Sequence, residues 1–232
     1  MFSTIFTRKE FYVFLGIGLL LMFGPKLVNY SQRVERLARA ILDGKEDLAR
    51  EMLIAHPDLL NKADEDNGFT PLHWAVIADR TNLVYWLLEK GAAVDPADPA
   101  GTTPLHKAAV FNRLACAEML VAHGARVSAL ARKYGALRLA PIHLAAEEGN
   151  ADLVGFLLAH GADVDMVTEG KNRITPLHMA AAKGKVSVIK VLVAAGADIN
   201  AADAAGKTPL AWAIEAEQPQ AAQVLREAGA VP

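Results

Sequence analysis

Thr70-Pro71-Leu72-His73-Trp74-Ala75-Val76 is the stretch on which the fold turns, because its first four residues return unchanged as Thr103-Pro104-Leu105-His106 and Thr175-Pro176-Leu177-His178. Ala140-Pro141-Ile142-His143 and Thr208-Pro209-Leu210-Ala211 are variants of the same tetrad. Successive prolines lie 33, 37, 35 and 33 residues apart, a period that marks an array of stacked repeats. A second mark keeps fixed phase with the first: Gly91-Ala92-Ala93-Val94, Gly124-Ala125-Arg126-Val127, Gly161-Ala162-Asp163-Val164 and Gly196-Ala197-Asp198-Ile199, then Gly229-Ala230-Val231.

The residues between the two marks predict the local structure. Threonine before proline offers an N-cap hydroxyl, and proline suits the first helical position because its missing N–H costs nothing there. Leu72, Ala75 and Val76 then make one apolar face. Asp79 to Asn82 form a turn, and Leu83, Val84, Leu87 and Leu88 form the stripe of a second helix. Gly91 follows as a left-handed C′ residue. Each unit is therefore a helix–turn–helix with a β-turn-like finger. A single unit cannot bury its own face, so neighbours must stack. Ala75, Ala108, Ala109, Ala145, Ala146, Ala180 and Ala181 let adjacent helices approach closely.

Recurring together, these motifs resemble the ankyrin-repeat family over roughly residues 31–232. The resemblance implies an all-α solenoid of about six helix–turn–helix units, at 31–66, 67–99, 100–136, 137–171, 172–204 and 205–232. The first unit lacks the tetrad. A shift of 35 residues sets Leu37, Ala40, Leu48 and Leu53 on Leu72, Ala75, Leu83 and Leu88, which suits a terminal cap. The last unit has Ala211 in place of histidine, and Glu215, Glu217, Gln218 and Gln220 suit a cap whose outer face meets water. The longest interval holds an extended basic finger, GARVSALARKYGALRLA over 124–140, with Arg126, Arg132, Lys133, Tyr134 and Arg138. The next finger is also long and carries Glu169, Lys171 and Arg173. If these longer fingers loosen the stacking, hydrogen exchange is expected to be fastest around 124–140.

Little in the chain suggests chemistry. The resemblance implies that His73, His106, His143 and His178 hydrogen-bond backbone between units, and their spacing of one per repeat gives no convergent metal site. His123 and His160 precede unit-ending glycines and read as helix-end residues. His143, Glu147 and Glu148 share about one helical turn, but no HExxH pattern accompanies them. Cys116 aligns with Leu83, Leu153 and Val188 on the second-helix stripe, as a core thiol would. The expectation is no catalysis, cofactor, metal or small-molecule substrate. With 24 basic against 26 acidic residues, the chain lacks the basic excess of a nucleic-acid binder.

What the resemblance leaves is a surface for an unidentified protein partner, met at the finger tips and the outward parts of the first helices. Position by position this gives Asp66, Asn67, Phe69, Ile77 and Ala78, then Pro99, Ala100, Thr102, Val110 and Phe111. Leu139, Glu147 and Glu148 follow, and then Asn172, Ile174, Ala182 and Lys183. The residues singled out are Phe69, Ile77, Thr102, Val110, Phe111, Arg132, Lys133, Tyr134, Glu147, Glu148 and Lys183. Phe69, Ile77, Val110 and Phe111 matter most, since clustered exposed apolar groups mark interfaces.

The composition is 53% hydrophobic but only 6% aromatic, with a mean hydropathy of +0.20. Alanine, leucine and valine supply the apolar mass, which favours packed helices over a β-sandwich. Part of it sits in an uncharged N-terminal run, FYVFLGIGLLLMFG over Phe11–Gly24, flanked by Arg8, Lys9 and Lys26. As a helix the run spans about 21 Å at ~1.5 Å per residue, short of the ~30 Å hydrocarbon core. Extension to Tyr30, with Lys26 snorkelling, closes the gap. Residues 1–30 are therefore expected to hold a tail and one transmembrane signal-anchor helix over 11–30. The alternative is an exported, periplasmic or secreted protein with a cleaved signal peptide, although no Ala-x-Ala site follows the run. Lys26, Arg33, Arg36 and Arg39 after the run favour a cytoplasmic array, and Arg8 and Lys9 before it favour the opposite side. The function expected is a single-pass, membrane-tethered scaffold for protein–protein interaction.

Overall fold

Residues 31–133 and 137–231 are described by the computed structural model. The expected membrane segment over 11–30 and the candidate Tyr134 lie outside the described residues. Among the described residues no helix is long and apolar enough to cross a membrane.

The chain enters in helix α1 (31–42) and continues through α2 (Glu46–Ala55) and a 3-10 turn at Pro57–Leu59. Five helix pairs follow: α3 (Pro71–Ile77) with α4 (Thr81–Glu89), α5 (Pro104–Phe111) with α6 (Leu114–Ala122), α7 (Pro141–Glu148) with α8 (Ala151–Ala159), α9 (Pro176–Ala182) with α10 (Val186–Ala194), and α11 (Pro209–Glu215) with α12 (Pro219–Glu227). Odd-numbered helices from α3 onward pack on one another in order, as do even-numbered ones from α4 onward, so the array has an inner and an outer row. Ala108, Ala109, Ala145, Ala146, Ala180 and Ala181 are fully buried in the inner row, against Leu83, Leu87, Leu120, Leu153, Leu157 and Leu192 in the outer one. Small side chains in the inner row let its helices approach closely.

The tetrad builds each inner helix start. The Thr70, Thr103 and Thr175 N–H groups donate to Nδ1 of His73, His106 and His178 at 3.2, 3.2 and 3.3 Å. The three hydroxyls lie 3.1, 2.8 and 2.8 Å from the same nitrogens. Ala140 has no hydroxyl and keeps only the N–H bond, 3.2 Å to His143. The Gly-Ala mark closes each outer helix. Gly91 has φ +82°, and the Ala92 N–H reaches back to the Leu87 carbonyl at 3.0 Å, a Schellman closure. Ala125, Ala162, Ala197 and Ala230 repeat that bond at 2.9–3.0 Å.

The ends of the stack differ from its middle. Leu48, aligned on a buried stripe, is exposed, and Ala49 and Leu53 carry the burial of α2 instead. Its counterparts Leu83, Cys116, Leu153 and Val188 are fully buried. Ile41, Val76, Ala109, Ala146 and Ala181 are fully buried at the position that meets the following unit, whereas Ile214 is 51% exposed there. Arg226 stands where the earlier units have Leu53, Leu88, Val121, Leu158 and Val193, so this face is only partly polar.

The fingers depart from the all-α expectation. The long finger holds two short strands, β1 (Ala131–Lys133) and β2 (Leu137–Leu139), paired antiparallel with Arg132 opposite Arg138. The Arg132 N–H donates to the Ala100 carbonyl at 2.7 Å, and Arg138 and Glu169 exchange backbone bonds of 3.2 and 3.1 Å. Ala204 N–H to Asn172 O, 2.9 Å, continues the stitching. The described residues of the long finger thus bond to both neighbouring fingers. The Arg132 and Arg138 amides are expected to exchange at least about tenfold slower than the Ser128 amide, read by hydrogen exchange. Equal rates would restore the loosened finger.

Candidate partner-binding face

The inner row and the fingers set one continuous surface, and the tetrad histidines fix their relation. His73 Nε2 donates to the Thr102 carbonyl at 3.0 Å, His106 to Leu139 at 3.1 Å and His178 to Lys207 at 3.0 Å. His143 Nε2 lies between the carbonyls of Met166 at 2.8 Å and Ile174 at 3.3 Å. Since Nδ1 accepts from backbone N–H and Nε2 faces carbonyl oxygen, each ring is assigned as the neutral Nε2–H tautomer. Burial holds all four below the usual imidazole range, with His106 and His143 lowered to about 4. Both ring nitrogens of His143 are engaged, so its geometry offers no lone pair to a metal. Among the described residues no group of three His, Cys, Asp or Glu is placed to hold one.

The apolar half of the face comes from the second and third units. Asp64 organises its first finger: the carboxylate accepts from the Asn67 and Phe69 N–H groups at 2.6 and 3.1 Å and from the Trp74 indole at 3.0 Å. Phe69 is half-buried, stacked on His73 with ring centres 5.4 Å apart, and Lys107 Nζ stands 4.1 Å over it. Ile77 and Val110, one repeat apart at the ends of α3 and α5, are half-buried, and Phe111 beside Val110 is 44% exposed. Thr102 is half-buried, its N–H bonded to Asp98 at 2.8 Å.

Charge dominates the other half. Glu147 is only 8% exposed, with Lys133 Nζ at 2.9 Å and Lys183 Nζ at 3.7 Å. It locks the long finger and α9 to α7 instead of standing free, while Glu148 beside it is exposed. Leu139 and Ile174 are core residues. Arg132 fixes its finger to the previous one through Pro99 O, 2.9 Å. Trp74, Lys107 and Trp212 also reach this face and went unnoticed in the sequence. Each directly follows the tetrad or its last variant, so aligning that one position across units reveals them.

Cys116 is buried, 3.7 Å from Asp79 Oδ1, and burial followed by that carboxylate pushes its thiol up to about 12. A thiol that is neither ionised nor accessible is a poor nucleophile. Near pH 8, its reaction with an aromatic disulfide reagent is expected to be at least about a hundredfold slower in the folded chain than in denaturant. Comparable rates would place Cys116 outside the core.

The fold is a stack of helix pairs with a tied finger edge and a mixed apolar and charged inner face. The chain belongs to the ankyrin-repeat family. The family profile described as "Ankyrin repeats (3 copies)" matches residues 37–131 and 142–232. Ankyrin repeats bind protein partners, and the family is typically non-catalytic. Among similar proteins, inversin of Gallus gallus is 32% identical over 200 residues, covering 86% of this chain and 18% of that protein. Ankyrin repeat protein nuc-2 of Neurospora crassa is 34% identical over 129 residues, 55% of this chain and 12% of its own length. The 26S proteasome non-ATPase regulatory subunit 10 of Rattus norvegicus is 39% identical over 59 residues, 25% of each chain. The match thus spans a quarter or less of each of these relatives.

Proposed function

We propose that this chain is a membrane-tethered ankyrin-repeat scaffold that holds a protein partner against its concave, finger-side face. The observation that carries the binding half is Phe111, 44% exposed at the end of α5 beside half-buried Val110, one repeat on from half-buried Ile77. An aromatic residue open to water beside half-buried aliphatic side chains is the arrangement of an interface anchor. The uncharged run Phe11–Gly24 supports the tether. Tethering confines the partner near the bilayer and raises its effective concentration.

Two measurements test the two halves. Capture from native membranes by the detergent-solubilised full chain, repeated with Phe111→Asp, reads the face. Alkaline carbonate extraction reads the tether: a chain that spans the bilayer stays in the membrane pellet, and a chain released to the supernatant is not anchored.

A further inference from the structure

We infer that α1 is a docking surface for anionic lipid headgroups, an inference that rests on the tether proposed above. The segment over 11–30 runs directly into α1 (31–42). With that segment in a bilayer, residues 31–42 follow it from headgroup level, and the solvent face of α1 lies near lipid.

The chemistry of that face suits such a neighbour. α1 buries Val34, Leu37, Ala40 and Ile41 in the core. Arg36 and Arg39 stand exposed, and Arg33 is half-buried. None of the three arginines has an ion-pair partner among the described residues. Several cations elsewhere are engaged, Arg50 with Glu46 at 3.3 Å, Arg113 with Asp79 at 3.3 Å, Arg126 with Asp95 at 3.1 Å and Lys207 with Glu215 at 2.7 Å, while Arg226 in the last helix pair is exposed. Glu35 is the only acid within α1, although residues 31–232 carry 21 basic against 25 acidic residues. Three unpaired arginines against one acid therefore sit on the helix that follows the anchor, in an array that is acidic as a whole.

Apolar side chains border the charges. Leu42 closes α1 and is exposed, as is Leu48 in α2. Beside Leu48, Asp47 and Glu51 are exposed acids, so the contact belongs to α1 and stops at α2. Each cation held near an anionic surface strengthens attachment about fivefold, an effect that falls off within a Debye length.

The test uses the full chain reconstituted in vesicles of phosphatidylcholine alone, or with about 30% phosphatidylglycerol. Both are washed in alkaline carbonate, then exposed to phenylglyoxal, and arginine modification is mapped by mass spectrometry. Arg226 in α12, exposed in the last helix pair, is the internal reference. The expected result is retention in both vesicles, with Arg36 and Arg39 modified at least about threefold more slowly than Arg226 only where the lipid is anionic. About 0.5 M NaCl should abolish that protection. Retention in both with equal modification overturns the docking surface and leaves the tether standing. Release from both removes the tether and the inference together. A chain carrying Arg36→Gln and Arg39→Gln should be retained equally; its release would mean that the arginines, and not the segment over 11–30, hold the chain, which contradicts the tether on which the inference rests.

Discussion

Acidification from about pH 6.5 to about pH 4 is expected to unfold the middle of the array. His106 and His143 have folded pKa values of about 4 against an ordinary 6.5. The folded chain therefore binds fewer protons than the unfolded chain through that window. Stability is fully present above pH 6.5 and is lost as pH falls toward 4. Each of the two contributes on the order of 3 kcal/mol, and His73 and His178 act in the same direction. The cause is geometric: protonation puts a proton on Nδ1, which accepts the N–H of the residue opening each inner helix, and places a cation among buried alanines. Losing the Nδ1 bond and charging the buried ring destabilise the helix start from which Nε2–H reaches the neighbouring finger. Thermal melts between pH 7.5 and 4 should show an apparent Tm that falls most steeply inside this window. His143→Gln should lower the Tm near neutral pH and flatten the pH dependence. A melt indifferent to pH down to 4 would contradict the histidine geometry.

Much of this architecture is legible in the sequence because its elements are local. The tetrad opens an inner helix through bonds spanning three residues, and Gly-Ala closes an outer helix through one reaching back five. Both are complete within a short segment, so they announce themselves wherever they recur. Contacts supplied by another unit are not legible in that way. β1 and β2 are three residues each, too short for alternation to register, and the finger is held by Ala100 and Glu169 from its neighbours. Glu147 has the sequence context of a solvated carboxylate, and Lys133 and Lys183 enclose it only once three units have stacked. Leu48 and Ile214 carry the same kind of side chain as their buried counterparts and differ only in having no described unit beyond them. In the candidate face, the apolar residues follow from repeat phase, whereas the split between an apolar and a charged half needed the assembled stack.

Phe111→Asp carries the second large expectation. The side chain ends α5 beside Val110, is 44% exposed, and lies outside the fully buried stripe of Leu105, Ala108 and Ala109. A carboxylate here can remain solvated, so the cost in stability should stay within about 1 kcal/mol. Binding should suffer far more, because an anchor that inserts into a partner cannot be replaced by a charge without desolvating it. The expected loss of affinity is at least about a hundredfold, near 3 kcal/mol.

Tyr85 supplies the matched control, since it is 54% exposed on the outer helix α4, away from the fingers. The decisive measurement is affinity capture from native membranes with the wild-type full chain, Phe111→Asp and Tyr85→Asp side by side, with Tm recorded for each. The account predicts a partner retained by wild type and Tyr85→Asp and lost by Phe111→Asp, at nearly equal Tm. Undiminished capture by Phe111→Asp, or loss only with Tyr85→Asp, would contradict the finger-side face as the site of binding.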